Sequence, residues 1–219
     1  MLFDSHSHIY TDRNTVIVNK SDKNDFFVNS FFSLGIHPWN VNPIEDNFLL
    51  FELEVKKKNC LAIGEIGLDK LKGPRIEIQI DMFTKQIEIS EKLELPVIIH
   101  CVKAWNELYL LYKKFQPKQI WIFHGFNKVG ILNEVLKTDL MISIGSSIFT
   151  NIQLQESLKL IPNEKLLLET DEANVDILEI YQKISEIKKI SLQELEQIIE
   201  ENFKRTFRKW QSGLSVQNY

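Results

Sequence analysis

Two of the five histidines in this 219-residue sequence have a spacing that suits metal binding. His6 and His8 lie two residues apart in the opening segment "MLFDSHSHIY". Residues two apart on an extended strand point to the same side, so both imidazoles would face one point. Such a pair can bind a divalent cation. The alternative is a surface strand with two solvent-facing histidines, and the pair alone does not decide between them.

The other three histidines each follow an apolar run that is typical of a buried strand. His37 ends "FFSLGIH", His100 ends "LPVIIH" and His124 ends "IWIFH". Singly, His100 or His124 could be a core histidine whose ring is satisfied by a backbone carbonyl. All five histidines, however, lie at the ends of predicted strands. This shared placement favours one common site over scattered surface positions.

Two carboxylates occupy similar positions. Glu65 in "GEIGLD" and Asp171 in "LLLETD" follow apolar runs, where a carboxylate is costly unless it is paired, hydrogen-bonded or metal-bound. Glu169, two residues before Asp171, is expected to be equally buried. Three alternatives stay open for it: a structural role, a role in supporting the site, or no role in the site. Cys101 follows His100 directly, so on a strand it faces the opposite way, into the wall.

Four imidazoles with two carboxylates exceed the ligands of a single closed zinc site. They suit two divalent ions that share a bridging carboxylate. The imidazoles favour zinc, manganese or iron, while oxygen ligands and open positions allow magnesium. The residue types therefore predict a dinuclear centre.

Eight short apolar or alternating runs, with helical patterns between the later ones, must position these residues. The runs cover residues 2–6, 15–19, 31–37, 60–67, 95–100, 120–124, 140–145 and 165–171. Alternation of strands and amphipathic segments predicts a parallel sheet, and eight units favour a TIM-type (β/α)8 barrel over an open doubly wound sheet. In such barrels the carboxyl ends of the strands form the active-site face.

The first quarter of this α/β barrel is expected to be irregular. The gaps at 9–14 and 20–30 are too short or too polar for full crossover helices, so we expect the barrel to be trimmed or distorted in its first βα units. After the eighth run the chain is predicted to be helical, with a capping box at Ser191–Glu194 that begins the last helix.

Composition limits the kind of protein. A formal net charge of -4 lacks the basic excess of proteins that hold nucleic acid by charge alone. Two cysteines without CxxC spacing favour a reducing compartment, and no apolar run approaches bilayer length. We expect one domain over residues 1–219, a cytoplasmic location, and neither a membrane nor an obligate protein partner.

Seven motifs together resemble one family. They are "DSHSH", "GIHPW", "GEIGLD", "LPVIIH", "FHG", "LLLETD" and "ENFKRTF", in order from Leu2 to Phe207. In this combination the sequence resembles the TatD family of metal-dependent deoxyribonucleases, within the amidohydrolase-like barrel hydrolases. The resemblance implies a barrel fold, two divalent ions such as magnesium, zinc or manganese, and DNA or a small phosphodiester as substrate.

The resemblance also implies a ligand set. One metal is held by His6, His8, Glu65 and Asp171, and the other by Glu65, His100 and His124, with Glu65 between them. His37 then lies near the substrate phosphate rather than on a metal. Asp4 is expected to orient an imidazole from behind.

The sequence departs from the family at two places. Members usually carry an arginine two residues after the strand-five histidine, where this chain has Val102. Lys103 is a candidate replacement for substrate binding, although an ammonium lacks the planar fork that grips phosphate; the alternative is a solvated residue at a helix start. After Asp171 the chain enters a helix almost directly, so a wall of the substrate cleft is expected to be missing.

The predicted chemistry is metal-assisted phosphodiester hydrolysis, with Asp171 as the general base and Glu65 as the catalytic bridge. One alternative is hydrolysis of a small amide, ester or lactone, but many such enzymes bridge their metals with a modified lysine where this chain has Glu65. Another is a non-catalytic metal or nucleic-acid binding protein. Trp39 and Trp105, near the expected mouth, are candidates for stacking on bases, with packing as the alternative.

Overall fold

The computed structural model describes residues 1–11, 14–20, 30–42 and 48–210. Eight parallel strands follow one another around the sheet in sequence order. They are Phe3–Ser7 (β1), Thr15–Lys20 (β2), Phe32–Leu34 (β3), Cys60–Asp69 (β4), Val97–Val102 (β5), Trp121–Phe123 (β6), Met141–Ile144 (β7) and Leu166–Leu168 (β8). The predicted TIM-type barrel is confirmed.

Seven α-helices are present in the described ranges, mostly between the later strands. They are Phe48–Glu54 (α1), Ile76–Leu93 (α2), Trp105–Phe115 (α3), Leu132–Val135 (α4), Ile152–Leu158 (α5), Ile177–Lys188 (α6) and Leu192–Thr206 (α7). Short 3-10 helices cover Val129–Ile131, Ser146–Phe149 and Asn163–Lys165. None of the described helices is both long and apolar enough to cross a bilayer.

The first βα unit is reduced, as the short gap predicts. Between β1 and β2 the described residues, 8–11 and 14, form no helix. Most of the second gap, residues 21–29, lies outside the described residues. The single-domain assignment over 1–219 remains a prediction, because residues 211–219 also lie outside them.

The barrel closes between its first and last strands at the carboxyl end. Ser7 and Asp171 form an isolated parallel bridge. His8 N donates to Asp171 O at 3.0 Å, and Asp171 N donates to His6 O at 3.0 Å. The seam of the barrel therefore runs through three of the predicted metal ligands and fixes them relative to one another.

The last two helices fasten the amino end of β1. The Tyr181 hydroxyl of α6 donates to Phe3 O and accepts from Phe3 N, both at 3.1 Å. Phe203 of α7 packs on the Phe3 ring at 4.7 Å. The predicted cap of α7 is confirmed, since Ser191 Oγ accepts from Glu194 N at 3.1 Å.

Candidate metal centre

Glu65 lies within β4, inside the predicted run 60–67, and not after the strand as its placement beside Asp171 implied. The strand continues to Asp69, and its pairing with β5 shifts register between Ile63 and Ile66. Such an irregularity re-aims the side chain that it carries. A Cβ at Gly67 would lie 1.9 Å from His100 O, so glycine lets β5 approach β4 closely. These two features bring Glu65 and His100 together.

One oxygen of the Glu65 carboxylate faces three histidines. Oε1 lies 2.7 Å from His100 Nδ1 and 2.8 Å from His124 Nε2. It also lies 3.2 Å from His37 Nε2. His100 lies within β5, past which the strand continues to Val102, whereas His37 and His124 follow β3 and β6. Three separate strands or the segments after them therefore deliver imidazoles to one oxygen.

The other oxygen of the same carboxylate faces the histidines of β1. Oε2 lies 3.5 Å from His6 Nε2 and 3.7 Å from His8 Nε2. Asp171 Oδ1 lies 3.5 Å from both of these nitrogens. The HxH pair does point to one place, and Asp171 is the carboxylate that meets it there together with Glu65.

All six residues predicted as metal ligands meet at the mouth, and their donor atoms form three compact groups. Within each group the atoms lie within 4.8 Å of one another. The groups are His6, His124 and Asp171; His6, His8 and Glu65; and His37, Glu65 and His100. His37, which the resemblance places on substrate, is thus close enough to act as a ligand too, and its assignment to substrate stays a prediction.

Asp69 was missed as a functional residue. Its Oδ2 accepts from Trp39 Nε1 at 2.6 Å and lies 3.2 Å from His100 Nε2. It therefore holds the His100 ring so that Nδ1 faces Glu65. The signal was the final letter of "GEIGLD", an acid that closes an apolar strand.

Asn19 was missed as well. Its Oδ1 accepts from Glu65 N at 3.2 Å, and its Nδ2 lies 3.4 Å from His8 Nε2. It links the backbone of Glu65 to one imidazole. The only signal in the sequence was an asparagine at the end of "TVIVN".

Glu169 has a supporting role, which decides among the alternatives left open by the sequence. Its Oε1 accepts from Gly125 N at 2.5 Å and lies 3.4 Å from His124 Nδ1. At this distance the carboxylate lies beside the ring whose Nε2 faces Glu65 and pairs with it by charge rather than by a hydrogen bond. Metal-binding imidazoles usually have such a partner on the other nitrogen.

Asp4 does not orient an imidazole, contrary to expectation. Its carboxylate accepts from Thr170 Oγ1 at 2.7 Å, Thr170 N at 3.1 Å and His6 N at 3.3 Å. It therefore joins the backbones on the two sides of the barrel seam. Burial raises the pKa of Asp4 to about 7, although its hydrogen bonds to Thr170 and His6 act in the opposite direction.

Charges within the cluster are strongly coupled. Burial alone would raise the pKa of Glu65, but His124, His100 and His37 outweigh it and hold the pKa well below its usual range. Burial alone would lower the pKa of His6, but the carboxylates of Asp171 and Glu65 raise it to about 9. Without a cation, a proton on His6 therefore offsets part of the carboxylate charge.

The donor set fits divalent cations. Both ring nitrogens of His6 are buried, and neither has a hydrogen-bond partner in the described part of the chain. A buried polar atom without a partner is costly, and coordination to a metal would satisfy one of the two. Imidazole and carboxylate together are ligands of zinc, manganese and iron, and the carboxylates also suit magnesium.

Lys103 is exposed and shares an unusual backbone feature with Asp171. Five described non-glycine residues have positive φ, and three of them are the carboxyl-terminal caps of α2, α3 and α6. The other two are Lys103 and Asp171, both with φ of 54°. Such backbone strain clusters at functional sites, which supports a role for Lys103, but its contact with substrate remains a prediction.

An eight-stranded parallel barrel with histidines and carboxylates gathered at its carboxyl mouth defines the metal-dependent barrel hydrolases. The profile of the family described as "TatD related DNase" matches residues 10–208. The chain belongs to this family and is a metal-dependent hydrolase of the TatD type.

Known proteins show the same relationship. An uncharacterized metal-dependent hydrolase of Mycoplasma genitalium is 33% identical over 201 residues, which cover 80% of this chain and 77% of the relative. A human protein named deoxyribonuclease TATDN3 is 28% identical over 204 residues, which cover 80% of this chain and 73% of the relative. The solved structure of YjjV, a TatD homologue from Escherichia coli, matches with a TM-score of 0.80 at 19% identity, covering 94% of this chain and 98% of that one. At 19% identity, the match to the YjjV structure supports the fold alone.

Proposed function

We propose that this hydrolase cleaves phosphodiester bonds of DNA with the help of two divalent ions bridged by Glu65. The observation that carries the proposal is the division of the Glu65 carboxylate: Oε2 faces His6 and His8, and Oε1 faces the histidines of the other strands. A carboxylate placed between two sets of imidazoles suits a bridging ligand. The human relative that is named a deoxyribonuclease supports the same substrate class.

Each half of the cluster would hold one ion. When bound, divalent cations supply positive charge that polarises a phosphoryl oxygen and makes a nearby water more acidic. The residues that would hold them are His6, His8, Glu65 and Asp171 on one side, and Glu65, His100 and His124 on the other. Asp69 and Glu169, behind His100 and His124, keep these rings in place.

Asp171 would act as the general base. Burial alone would raise the pKa of Asp171, but His6 and His124 hold it below its usual range, so the carboxylate is ionised at neutral pH. Its side chain is 38% exposed, which leaves it open to the solvent that supplies the attacking water. As the water oxygen bonds to phosphorus and the bond to the leaving oxygen breaks, the water proton passes to this carboxylate.

The short chain after Asp171 would leave one side of the site open. Only residues 172–176 separate it from α6, which begins at Ile177. This agrees with the expected loss of a cleft wall. An open side suits a polymer that must pass beyond the scissile bond.

The test is hydrolysis of bis-p-nitrophenyl phosphate and of an oligodeoxynucleotide by the Mn²⁺-loaded protein and its Asp171→Asn variant. Removal of a general base that is also a ligand should lower kcat for both substrates by at least about 100-fold. Glu172→Gln, which changes the adjacent exposed acid, is the control and should keep wild-type turnover. Undiminished hydrolysis by Asp171→Asn would remove Asp171 from the mechanism. Faster turnover of an ester, amide or lactone than of either phosphodiester would overturn the proposed substrate class.

A further inference from the structure

The exposed aromatic side chains of the described residues all lie at the mouth of the barrel. Tyr10 follows β1, Trp39 follows β3, and Phe149 follows β7. Because the carboxyl ends of parallel strands meet at one face, the segments that carry these three rings lie on the same face as the candidate metal centre. The other aromatic side chains whose burial the structure describes are buried or partly buried, so these three rings are the most exposed of that set.

Trp39 is the ring most firmly tied to the centre. Its Nε1 donates to Asp69 Oδ2, the carboxylate that also contacts His100. Its ring centroid lies 4.7 Å from that of His37 and 5.6 Å from that of His100. Trp39 is nevertheless 39% exposed.

The remaining tryptophans are unsuited to contact a ligand. Trp105, Trp121 and Trp210 are 8%, 1% and 6% exposed. Trp105 also donates its Nε1 to Glu134 Oε2 at 2.7 Å and stacks on Tyr109. Packing is therefore the role of Trp105, and Trp39 is the stacking candidate that the structure retains.

A lysine lies directly on the Trp39 ring. The Lys72 Nζ is 3.4 Å from the ring centroid. Two basic neighbours on the same loop are neutralised, Lys70 by Glu107 at 2.6 Å and Arg75 by Glu77 at 3.3 Å. In the ranges that the structure describes, Lys72 has no such carboxylate partner within 4.0 Å. Among the described residues, the Lys72 ammonium therefore faces the Trp39 ring and no carboxylate.

The loop that carries Lys72 is held in place by buried side chains. Asp69 Oδ1 accepts from Leu71 N at 2.7 Å and from Lys72 N at 3.2 Å. Gln79, which is buried in α2, donates from Nε2 to Asp69 O at 2.9 Å and to Pro74 O at 2.7 Å. The backbone of Lys72 is thus held by Asp69, the last residue of the strand that carries Glu65.

Glycine brings this loop against the loop that carries Trp39. Gly73 has a φ of 91°, and a Cβ there would lie 2.5 Å from Pro38 O. The two backbones are therefore in contact next to Trp39. The indole and the ammonium form a preorganised pair rather than a chance encounter of two surface side chains.

We propose that Trp39 and Lys72 form a nucleotide-binding subsite beside the metal centre, in which a base stacks on the indole and the ammonium binds the phosphate next to the scissile one. The inference rests on the proposed phosphodiesterase function and names the residues that position its substrate. An aromatic face with an adjacent cation matches the two chemical parts of a nucleotide, its base and its phosphate. An apolar protein segment would leave the Lys72 charge without a partner.

The experiment compares binding of two hydrolysis-resistant phosphorothioate strands of equal length, oligothymidylate and an abasic strand, to the Mn²⁺-loaded protein by fluorescence anisotropy. Trp39→Leu should weaken binding of oligothymidylate about 10-fold, because a base–aromatic stack is lost, and leave binding of the abasic strand within about 2-fold. Trp39→Phe keeps an aromatic face but, like leucine, loses the bond to Asp69. It should therefore restore most of the affinity for oligothymidylate.

Lys72→Gln should weaken binding of both oligonucleotides by the same factor, since both carry phosphates. It should also reduce the salt dependence of binding. Lys113→Gln is the matched control. Lys113 also lies over an aromatic ring, that of Tyr109 at 5.2 Å, but it sits in the last turn of α3, away from the mouth, and its change should leave both affinities unaltered.

Equal losses of affinity for oligothymidylate in Trp39→Leu and Trp39→Phe would overturn the proposal. The effect would then come from the lost hydrogen bond to Asp69 and not from stacking. Equal losses on both strands with Trp39→Leu, or no loss at all, would overturn it too. Binding requires no turnover, so failure of this subsite is distinguishable from failure of the proposed hydrolysis. If the protein hydrolyses bis-p-nitrophenyl phosphate but the variants show none of these binding effects, the proposed hydrolysis stands and the proposed subsite is wrong.

Discussion

The carboxylate of Glu65 is almost completely buried among imidazoles from four strands or the segments that follow them. A buried charge requires compensation, and here it comes from partners on both oxygens. Asp69 and Glu169 repeat the arrangement one layer further out, each beside a ring nitrogen that does not face Glu65. The centre is therefore two layers deep, and its outer layer determines where the inner rings point.

The outer layer can be tested at Asp69. Asp69→Asn keeps an oxygen that can accept from Trp39 Nε1 but removes the negative charge beside His100 Nε2. Loss of a carboxylate behind a metal-binding imidazole should weaken metal affinity about 10- to 100-fold. Titration of the metal-free protein with Zn²⁺ against a competing chelator measures this change, and Asp81→Asn, at an exposed position on α2, serves as control. An unaltered affinity would show that Asp69 does not support metal binding by His100.

At the level of residues, the sequence predicted that the six candidate ligands converge, and it missed Asp69 and Asn19 behind them. The candidate ligands could be found from the sequence because histidine and carboxylate at strand ends are chemically distinctive. Barrel geometry makes such strand ends converge. Asp69 and Asn19 gave weaker signals, since their roles depend on which side chain of another strand lies opposite. That pairing is a property of the folded barrel.

At the level of elements, the strands deliver the ligands and the helices fix the strands. Eight predicted runs correspond to the eight strands in order, because strands buried on both faces read as continuous apolar segments. The end of β4 was predicted at residue 67 and lies at Asp69. Gly67 does not end the strand and instead permits the close approach of β5.

The cap of α7 is a stability test at this level. Ser191→Ala removes the acceptor for Glu194 N and should lower the free energy of unfolding by about 1 kcal/mol. Urea unfolding followed by circular dichroism measures the difference. Ser185→Ala, inside α6, removes a hydroxyl that only bonds back to Gln182 O, and should change stability by less than about 0.5 kcal/mol. If both variants lose the same stability, the cap contributes nothing specific.

At the level of the whole molecule, the barrel closes where the metal ligands lie. The bonds that join the ends of β1 and β8 involve the backbones of His6, His8 and Asp171. Asp4 and Thr170 reinforce this seam from behind. The seam and the candidate centre share residues, so the geometry of the ligands is set by closure of the barrel.

The interior of the barrel also controls its two thiols. Burial raises the pKa of Cys60 and of Cys101 to about 12. Native protein should therefore give less than about 10% of the thiol reaction with Ellman's reagent at pH 8 that urea-unfolded protein gives, since the thiolate is the reactive form. The unfolded thiols ionise near pH 8.5, so stability should fall as the pH rises above that value while the folded thiols stay protonated. Rapid reaction of either thiol in the native protein would contradict the buried placement.

The central claim is that Glu65 lies between two cations, and anomalous diffraction from crystals grown with Mn²⁺ tests it most directly. We predict two manganese peaks on opposite sides of the Glu65 carboxylate, one near His6, His8 and Asp171 and the other near His100 and His124. A single peak at saturating Mn²⁺, or two peaks that do not share Glu65, would contradict the account.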